Sequence, residues 1–405
     1  MPSPRGTTTR NSPPHSHARP PVRRRRRRNW APHWPRRLWS RLTLTVLIVL
    51  LVPLSWSVGH ALTMPGGGSI SERLAEWARD HYLGPVVTFG EWLTYQAPAK
   101  GGKPAFAFTG RPSAAPGRAH HLHNKALAAL LAPPPRLTSM AGKPLPGEGV
   151  WRVLGTVNGQ PAIYGTYLRP SSIYTSYAAG IALMNQSLLR FELRPGTEDP
   201  GPGRWKAQSY IAPGTRRGLL ATFNSGFKIS VSGGGFFLNG ATRGTLTPGV
   251  ASVVYYRDGH IAIGVWDRTV RMTPDVAGVR QNLHLIVQNG KVPSSVDQNV
   301  ETSWGATLGG GYYVWRSGIG ITKDGRVVFV YGPALNVREL AELLRHAGAV
   351  TAMELDINPD WMSFMYYLHD MRANPTPVNL LPNQMQPADR YYYLSSRDFT
   401  AVYAR

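Results

Sequence analysis

The sequence predicts an α+β fold: a strand-rich, mixed-sheet domain with a few helices, preceded by a single N-terminal transmembrane helix. Three observations predict it. Apolar runs flank Asp258-Gly259, Asn289-Gly290 and Asp324-Gly325, and such dipeptides between apolar runs are the strongest short-range hairpin signals. Residues 337–346 have helical periodicity with both end signals. Residues 42–58 (LTLTVLIVLLVPLSWSV) carry no charge at all.

Taken in order, the chain begins with a tail, 1–41, that holds twelve arginines and no acid, so it supplies +12 of the net +23. Arg23 to Arg28 run without interruption. Such a run is disordered and seeks polyanions; nucleic acid and anionic lipid headgroups are the two candidates. The apolar run that follows favours lipid, and no nucleic acid partner is expected. A helix over 42–58 is about 25 Å long, and extending it to 62 lengthens the crossing. Pro53 is tolerable in a membrane helix. Arginines immediately before the span hold the N-terminus in the cytoplasm and send the rest outside. The expected location is therefore the plasma membrane, single-pass, with an extracytoplasmic C-terminal domain. The competing reading is a cleavable signal peptide ending near Gly59-His60-Ala61. The long basic region favours an uncleaved anchor over 42–62.

Residues 63–146 read as a juxtamembrane stalk and linker. Pro65-Gly-Gly-Gly68 is a flexible break. Residues 71–96 have helical periodicity interrupted at Gly84-Pro85. Residues 97–118 form a Pro/Gly/Ala/Lys linker, and 122–131 a short helix closed by Pro133-Pro-Pro135. His120-His-x-His123 has metal-ligand chemistry but reads as solvated linker. There is no cysteine, so the exported part has neither disulfides nor thiolate chemistry. Arginine outnumbers lysine 37 to 8, the codon bias of a GC-rich bacterial genome.

From about Gly147 the texture changes to strands and tight turns, and one domain is expected over 147–405. Residues 181–193 (IALMNQSLLRFEL) alternate as a strand. The three hairpins follow. The helix over 337–346 has Asn336 as N-cap, Glu339 completing a capping box, and Gly348 at its end. Leu340, Leu343 and Leu344 give it a core face. It leads into Ala352-Met-Glu-Leu-Asp-Ile-Asn-Pro-Asp-Trp361, a strand that stops in a polar loop. Met353, Leu355 and Ile357 fall on one face, Glu354 and Asp356 on the other. Two carboxylates two positions apart lie roughly 6.5–7 Å apart at the backbone. Like charges that close resist ionising together, which suits acid/base chemistry. Asn358 and Asp360 continue the spacing into the loop. The bland alternative is a solvated strand face. Asp356-x-Asn358-x-Asp360 also mimics the start of a calcium loop. Trp361 at its sixth position and Tyr367 at its twelfth exclude an EF-hand. No cofactor is expected; an irregular calcium site stays open.

Three segments together resemble one family: Arg316-Ser-Gly-Ile-Gly-Ile-Thr-Lys-Asp-Gly-Arg-Val-Val-Phe-Val330, the helix with Glu339-Leu-Ala-Glu-Leu-Leu344, and Ala352-Met-Glu-Leu-Asp356. They resemble the phosphodiester glycosidases, in which an Arg-Thr-Ala-x-Gly strand, a hairpin and a helix precede an Asn-Leu-Asp-Gly-Gly-Gly-Ser strand and loop. Asn224-Ser-Gly-Phe227 stands in for an upstream Asn-Gly-Gly-Phe loop, with Gly233-Gly-Gly-Phe-Phe237 as a second match. The likeness covers 215–365 well and the rest of 147–405 loosely. Two departures bear on chemistry. Glu354 stands where the family has asparagine, and Ile357-Asn-Pro-Asp360 replaces the glycine loop, removing an amide at Pro359.

The resemblance implies a hydrolase acting on a sugar 1-phosphodiester. The substrate would be an envelope polysaccharide or other sugar-phosphate polymer. On that reading Asp356 is base or nucleophile, and Glu354 its partner, acid or sugar-hydroxyl acceptor. Arg316 suits phosphate through its planar fork. Asn224 and the amides near Gly226 and Phe227 bind sugar hydroxyls or phosphate. Lys228 is a weaker phosphate candidate, Trp361 stacks on a sugar face, and Asn358 and Asp360 complete the site. The alternative function is a non-catalytic envelope glycan-binding protein that retains the fold.

Overall fold

The computed structural model describes residues 36–63, 70–84, 86, 87, 90, 93, 96–108, 133–298 and 313–405. The arginine run, the Pro-Gly break at 65–68, His120 to His123 and the helix expected over 122–131 lie outside the described residues. The chain divides into two units, 1–57 and 58–405. The described residues of the first belong to helix α1, Arg36–Thr63, which has Pro53 inside it and whose last residues fall in the second unit. Its stretch Trp39–Thr63 is long and apolar enough to cross a membrane, as an anchor or a signal sequence, and Leu47, Val49, Leu50 and Val52 are exposed along it.

In the second unit the helix α2, Ile70–Asp80, precedes a strand-rich fold. Its strands are Arg152–Val157 (β1), Gln160–Leu168 (β2), Ala179–Met184 (β3), Leu189–Arg194 (β4), Leu219–Asn224 (β5), Phe236–Leu238 (β6) and Ala241–Arg243 (β7). Then come Ala251–Tyr256 (β8), Ile261–Val265 (β9), Val276–Gln281 (β10), Leu285–Val287 (β11), Val314–Thr322 (β12) and Val327–Leu335 (β13). Ala349–Glu354 (β14), Phe364–Leu368 (β15), Thr376–Asn379 (β16) and Phe399–Ala404 (β17) complete them. A short helix α3, Ile229–Ser232, and the long helix α4, Val337–His346, are the described α-helices of this part. The strands form a seven-stranded sheet ordered β1-β2-β3-β13-β12-β14-β11 and two five-stranded sheets, β7-β6-β10-β8-β9 and β16-β15-β5-β17-β4. Neighbouring strands pair antiparallel throughout, as in β12 with β13 and β14, or β17 with β4 and β5.

The local signals explain these elements. Gly259, Gly290 and Gly325 all take positive φ in their turns, the conformation that makes Asp-Gly and Asn-Gly turn formers. α4 starts with a complete capping box: Asn336 Oδ1 accepts from the Glu339 amide, and Glu339 Oε2 accepts from the Asn336 amide. The run 181–193 is not one strand. Asn185 Oδ1 accepts from the Ser187 amide at 3.0 Å, and this Asx turn breaks the run into β3 of the large sheet and β4 of another.

The large sheet is covered on both faces. Along β13, Val327, Phe329 and Tyr331 enter one core cluster while Val328 and Val330 enter a second with Leu340, Leu343 and Leu344 of α4. This explains why the strand reads as continuous apolar sequence. Gly318 of β12 lets α4 approach: a Cβ there would stand 2.9 Å from Leu344 Cδ1 and 3.1 Å from the Met353 carbonyl oxygen. The segment before residue 147 also packs on the fold. Phe108 is 3 % exposed and its ring stacks on Tyr167. Trp151 Nε1 donates to the Pro135 carbonyl.

Candidate functional site

A small, tight cleft lies where the ends of β5 and β14 meet the segment leading into β17. Its walls come from 224–226, from Asp356 and Trp361, and from Arg390, Tyr391, Ser395, Arg397 and Asp398. Of the residues expected from sequence, Asp356, Asn224, Gly226 and Trp361 therefore meet at one cleft. Glu354, Arg316, Phe227, Lys228, Asn358 and Asp360 surround it without lining it.

β14 ends at Glu354, and Asp356 is the second residue beyond the strand. Its position is fixed from both sides. The Ser317 amide and hydroxyl donate to the Asp356 carbonyl at 3.0 and 2.9 Å. Asp356 Oδ1 accepts from the amides of Ile357 and Asn358 at 2.8 and 2.9 Å. Asp356 Oδ2 accepts from Arg397 Nη2 at 3.1 Å. Asn358 repeats the device, accepting from the Asp360 amide at 3.0 Å. The loop thus uses Asx turns to order a path that glycines do not provide. These side-chain oxygens cap their own backbone. Asp360 is 4 % exposed, and its carbonyl accepts from Gln386 Nε2.

Glu354 lies beneath the cleft, on the α4 side of the sheet. It is paired with Arg316 of β12, both side chains are fully buried, and Arg316 Nε donates to the Leu335 carbonyl at 3.0 Å. Burial pushes the Glu354 carboxyl pKa up, against the pull of Arg316. A buried pair of this kind ties two strands together; its net worth depends on how completely each charge is met.

The wall at 224–228 is held by side chains that sequence reasoning did not single out. Asn224 Nδ2 donates to Ser317 Oγ and its Oδ1 accepts from the Ser363 amide, at 2.9 and 3.1 Å. Asn282 Nδ2 donates to the carbonyls of Glu354 and Leu355, while its Oδ1 accepts from the Phe227 amide. One side chain thereby fixes the spacing of two walls. Gly226 is required there, since a Cβ would stand 2.9 Å from Asn282 Cγ. The Gly226 carbonyl accepts from Arg397 Nη2 at 3.1 Å. Lys228 points away to an ion pair with Asp80 of α2 at 2.8 Å.

The opposite wall was not foreseen. Arg280 is 1 % exposed and reaches Asp398 at 2.8 Å and Asp199 at 3.4 Å. Burial pushes the Asp398 carboxyl pKa up, and the Arg280 guanidinium opposes it. Arg390 is 4 % exposed; its Nη1 and Nη2 donate to Gln386 Oε1 and Ser395 Oγ at 3.0 and 3.3 Å. Burial pulls its pKa down. The guanidinium groups of Arg390 and Arg397 lie 4.9 and 5.5 Å from the Trp361 ring centre. A usable signal was present: four charges in Arg390 to Asp398 and Asp389 flank an aromatic run directly before an apolar strand.

The cleft thus holds two carboxylates, Asp356 and Asp398, and two buried guanidinium groups, Arg390 and Arg397, beside an indole, with Arg397 bonded to Asp356. Such a set places a carboxylate that can act as base or nucleophile beside guanidinium donors. Among the described residues, no group of three His, Cys, Asp or Glu side chains is arranged to hold a metal ion.

The family model of the phosphodiester glycosidases matches residues 219–356, from the first residue of β5 to Asp356. No curated protein matches the chain by sequence. Among solved structures, the chain is similar to the zebrafish N-acetylglucosamine-1-phosphodiester alpha-N-acetylglucosaminidase catalytic domain auto-inhibited by pro-peptide. The identity is 13 %, the likeness covers 63 % of this chain and 88 % of that one, and the TM-score is 0.39. A Synechocystis protein gives 10 % identity over 65 % of this chain and 64 % of that one, with a TM-score of 0.40. The family match points to a hydrolase acting on glycosyl phosphodiester linkages. Residues 219–356 form a phosphodiester glycosidase family domain.

Proposed function

We propose that this protein is a membrane-anchored, extracytoplasmic hydrolase that cleaves a sugar 1-phosphodiester in an envelope polysaccharide or related glycoconjugate. The proposed organisation is a basic cytoplasmic tail over 1–41, a signal-anchor over 42–62, a stalk and linker over 63–146, and the catalytic domain over 147–405. The tail's arginines serve topology and the anionic membrane surface rather than nucleic acid.

One observation carries the reading. Asp356, the last residue of the family match, presents its carboxylate to a cleft walled by arginines. In hydrolysis the bond between sugar C1 and the phosphate oxygen breaks, leaving a free reducing sugar and a phosphate monoester. The leaving group is already acidic and needs little protonation. The residues must supply a base or nucleophile, hold the phosphate and stabilise an oxocarbenium-like state. Asp356 is the base or nucleophile. Arg397, bonded to Asp356 Oδ2 and to the Gly226 carbonyl, is the positioning residue that fixes its orientation. Glu354 and Arg316 act from below, as the buried pair under the Asp356 loop. Asn224 and Gly226 form the wall facing the sugar.

The test uses the detergent-solubilised full chain and a panel of sugar 1-phosphodiesters, including UDP-N-acetylglucosamine and a methyl phosphodiester. Reducing sugar is measured with Asp356→Asn alongside. Release that falls by about 10²–10⁴-fold in the variant supports the reading. Release unaffected by Asp356→Asn refutes the assignment. Glycan binding without turnover of any substrate marks a binding protein instead.

A further inference from the structure

Helix α2 is oriented the wrong way for a helix that serves only its own domain. Ile70, Leu74 and Trp77 recur at i, i+4 and i+7, so they share one face. An amphipathic helix on a soluble fold packs that face on the core. Here Ile70 is 70 % exposed and Leu74 is 38 % exposed, and Leu83 beyond the helix is exposed as well. Polar residues of a different face hold the helix to the rest of the chain. Arg73 Nη1 donates to the Leu62 carbonyl at 2.8 Å, and Asp80 pairs with Lys228 at 2.8 Å. The Trp77 ring stacks on His81 with 4.4 Å between centres, which adds an aromatic pair to the apolar side.

We infer that α2 is an interfacial helix whose apolar face lies in the surface of the bilayer that α1 enters. The occupant of that face is lipid, because the helix begins where the apolar span ends. Only residues 64–69 separate Thr63 from Ile70. The Arg73 bond holds the first turns of α2 to the last turn of the span. The exposed face therefore starts at the level where hydrocarbon gives way to headgroups, and where tryptophan is enriched in membrane proteins. Burying Ile70 and Leu74 there removes apolar surface from water without turning the helix over. The helix sequence carries two arginines and three acids, and Asp80 is already paired. Apolar burial, not attraction to anionic lipid, thus drives the contact. Asp80 closes the helix against Lys228 at the end of the 224–228 wall, so α2 joins the bilayer surface to that wall. The inference rests on the anchored reading of residues 42–62 and is independent of the hydrolase reading.

The chain has no cysteine, so one introduced thiol carries one label. Leu74→Cys on the apolar face, Arg79→Cys on the far face and Leu50→Cys in the span each receive an environment-sensitive fluorophore. All three positions are exposed, and none belongs to the strand-rich fold. The full chain is reconstituted into phosphatidylcholine vesicles, and nitroxide lipids quench each label according to its depth. The label at Leu74→Cys is expected about 5–10 Å below the headgroups, with that at Leu50→Cys deeper and that at Arg79→Cys quenched only weakly. Adding phosphatidylglycerol leaves the depth at Leu74→Cys unchanged. Equal quenching at Leu74→Cys and Arg79→Cys overturns the inference. So does an unquenched label at Leu74→Cys beside a quenched one at Leu50→Cys, which leaves the anchor standing without the interfacial helix. Quenching at Leu74→Cys with none at Leu50→Cys supports the lipid-binding face and removes the anchor. Disulfide formation between copies of unlabelled Leu74→Cys, with the labelled protein shielded from nitroxide lipids, assigns the face to a second copy and overturns the inference.

Discussion

Replacing Arg316 by methionine separates a structural role from a substrate-binding one. Arg316 and Glu354 are both fully buried, and Arg316 Nε also serves the Leu335 carbonyl. Removing the cation strands a buried carboxylate, which costs about 3–5 kcal/mol. Replacing both, as Arg316→Met with Glu354→Leu, removes the charge along with its partner. That double variant recovers most of the loss, because apolar residues of similar volume substitute well for a buried pair. The loss also depends on pH. Burial raises the folded-state pKa of Glu354, and removing Arg316 raises it further. A group whose folded pKa is raised binds its proton more readily in the folded state. Stability of Arg316→Met therefore falls as pH climbs from the ordinary carboxyl value through the folded one, and is best preserved in acid. Urea unfolding followed by tryptophan fluorescence at pH 5 and pH 8 measures this. Were Arg316 instead a phosphate ligand, Arg316→Met would unfold at the parental midpoint and raise KM. A cost below about 1 kcal/mol at pH 8, or single and double variants of equal stability, would refute the reasoning.

Three further outcomes follow from the same structure. Burial at the start of α4 pushes the Glu339 carboxyl up to about 7, despite the Asn336 amide and Ser171. The parent protein therefore loses stability as pH rises from about 4.5 towards 7. Glu339→Gln keeps a capping-box side chain and cannot ionise. It should melt higher than the parent at pH 8, by about 1–2 kcal/mol after allowing for the helix N-terminus, and equally at pH 5. Gly318→Ala drives a methyl group against Leu344 and the Met353 carbonyl, and should cost about 1–3 kcal/mol in urea unfolding. Asn282→Ala releases the Phe227 amide and the carbonyls of Glu354 and Leu355 at once. It should lower kcat more than stability, since the two cleft walls lose their common strut; an unchanged kcat would count against that role.

What could be read from the sequence was what is local. The hairpins at Asp258-Gly259 and Asp324-Gly325 and helix α4 are specified by residues within a few positions of each other, and the capping box at Asn336 and Glu339 forms as its spacing implies; Asn289-Gly290 makes only a turn with a single Gln288–Lys291 bridge, because β11 pairs with β14 instead. Misreading 181–193 as one strand has an equally local cause, the Asn185 turn, whose side-chain bond competes with the alternation around it. The Asp356 side of the cleft was legible because a strand end and a distinctive motif coincide there. The Arg390 to Asp398 side was not. Its charges carry no periodicity, and only the pairing of β17 with β5 brings them opposite Asn224. Burial itself was the other hidden quantity. Alternation placed Glu354 and Asp356 alike, yet one is sealed beneath α4 and the other faces a cleft, because β14 ends between them.

The position of β17 has a consequence for how the protein comes to be active. This strand lies inside its sheet, between β5 and β4, and the residues just before it supply a whole wall of the cleft. A chain emerging from its N-terminus makes β5 and Asn224 long before Arg397 and Asp398. Until β17 inserts, β4 has no partner strand and β5 has one open edge, and Arg397 and Asp398 are not yet held against the cleft. Such distant pairings close slowly and leave exposed strands in the meantime. An incompletely emerged chain therefore lacks one wall of the cleft, and insertion of β17 completes the sheet and that wall together.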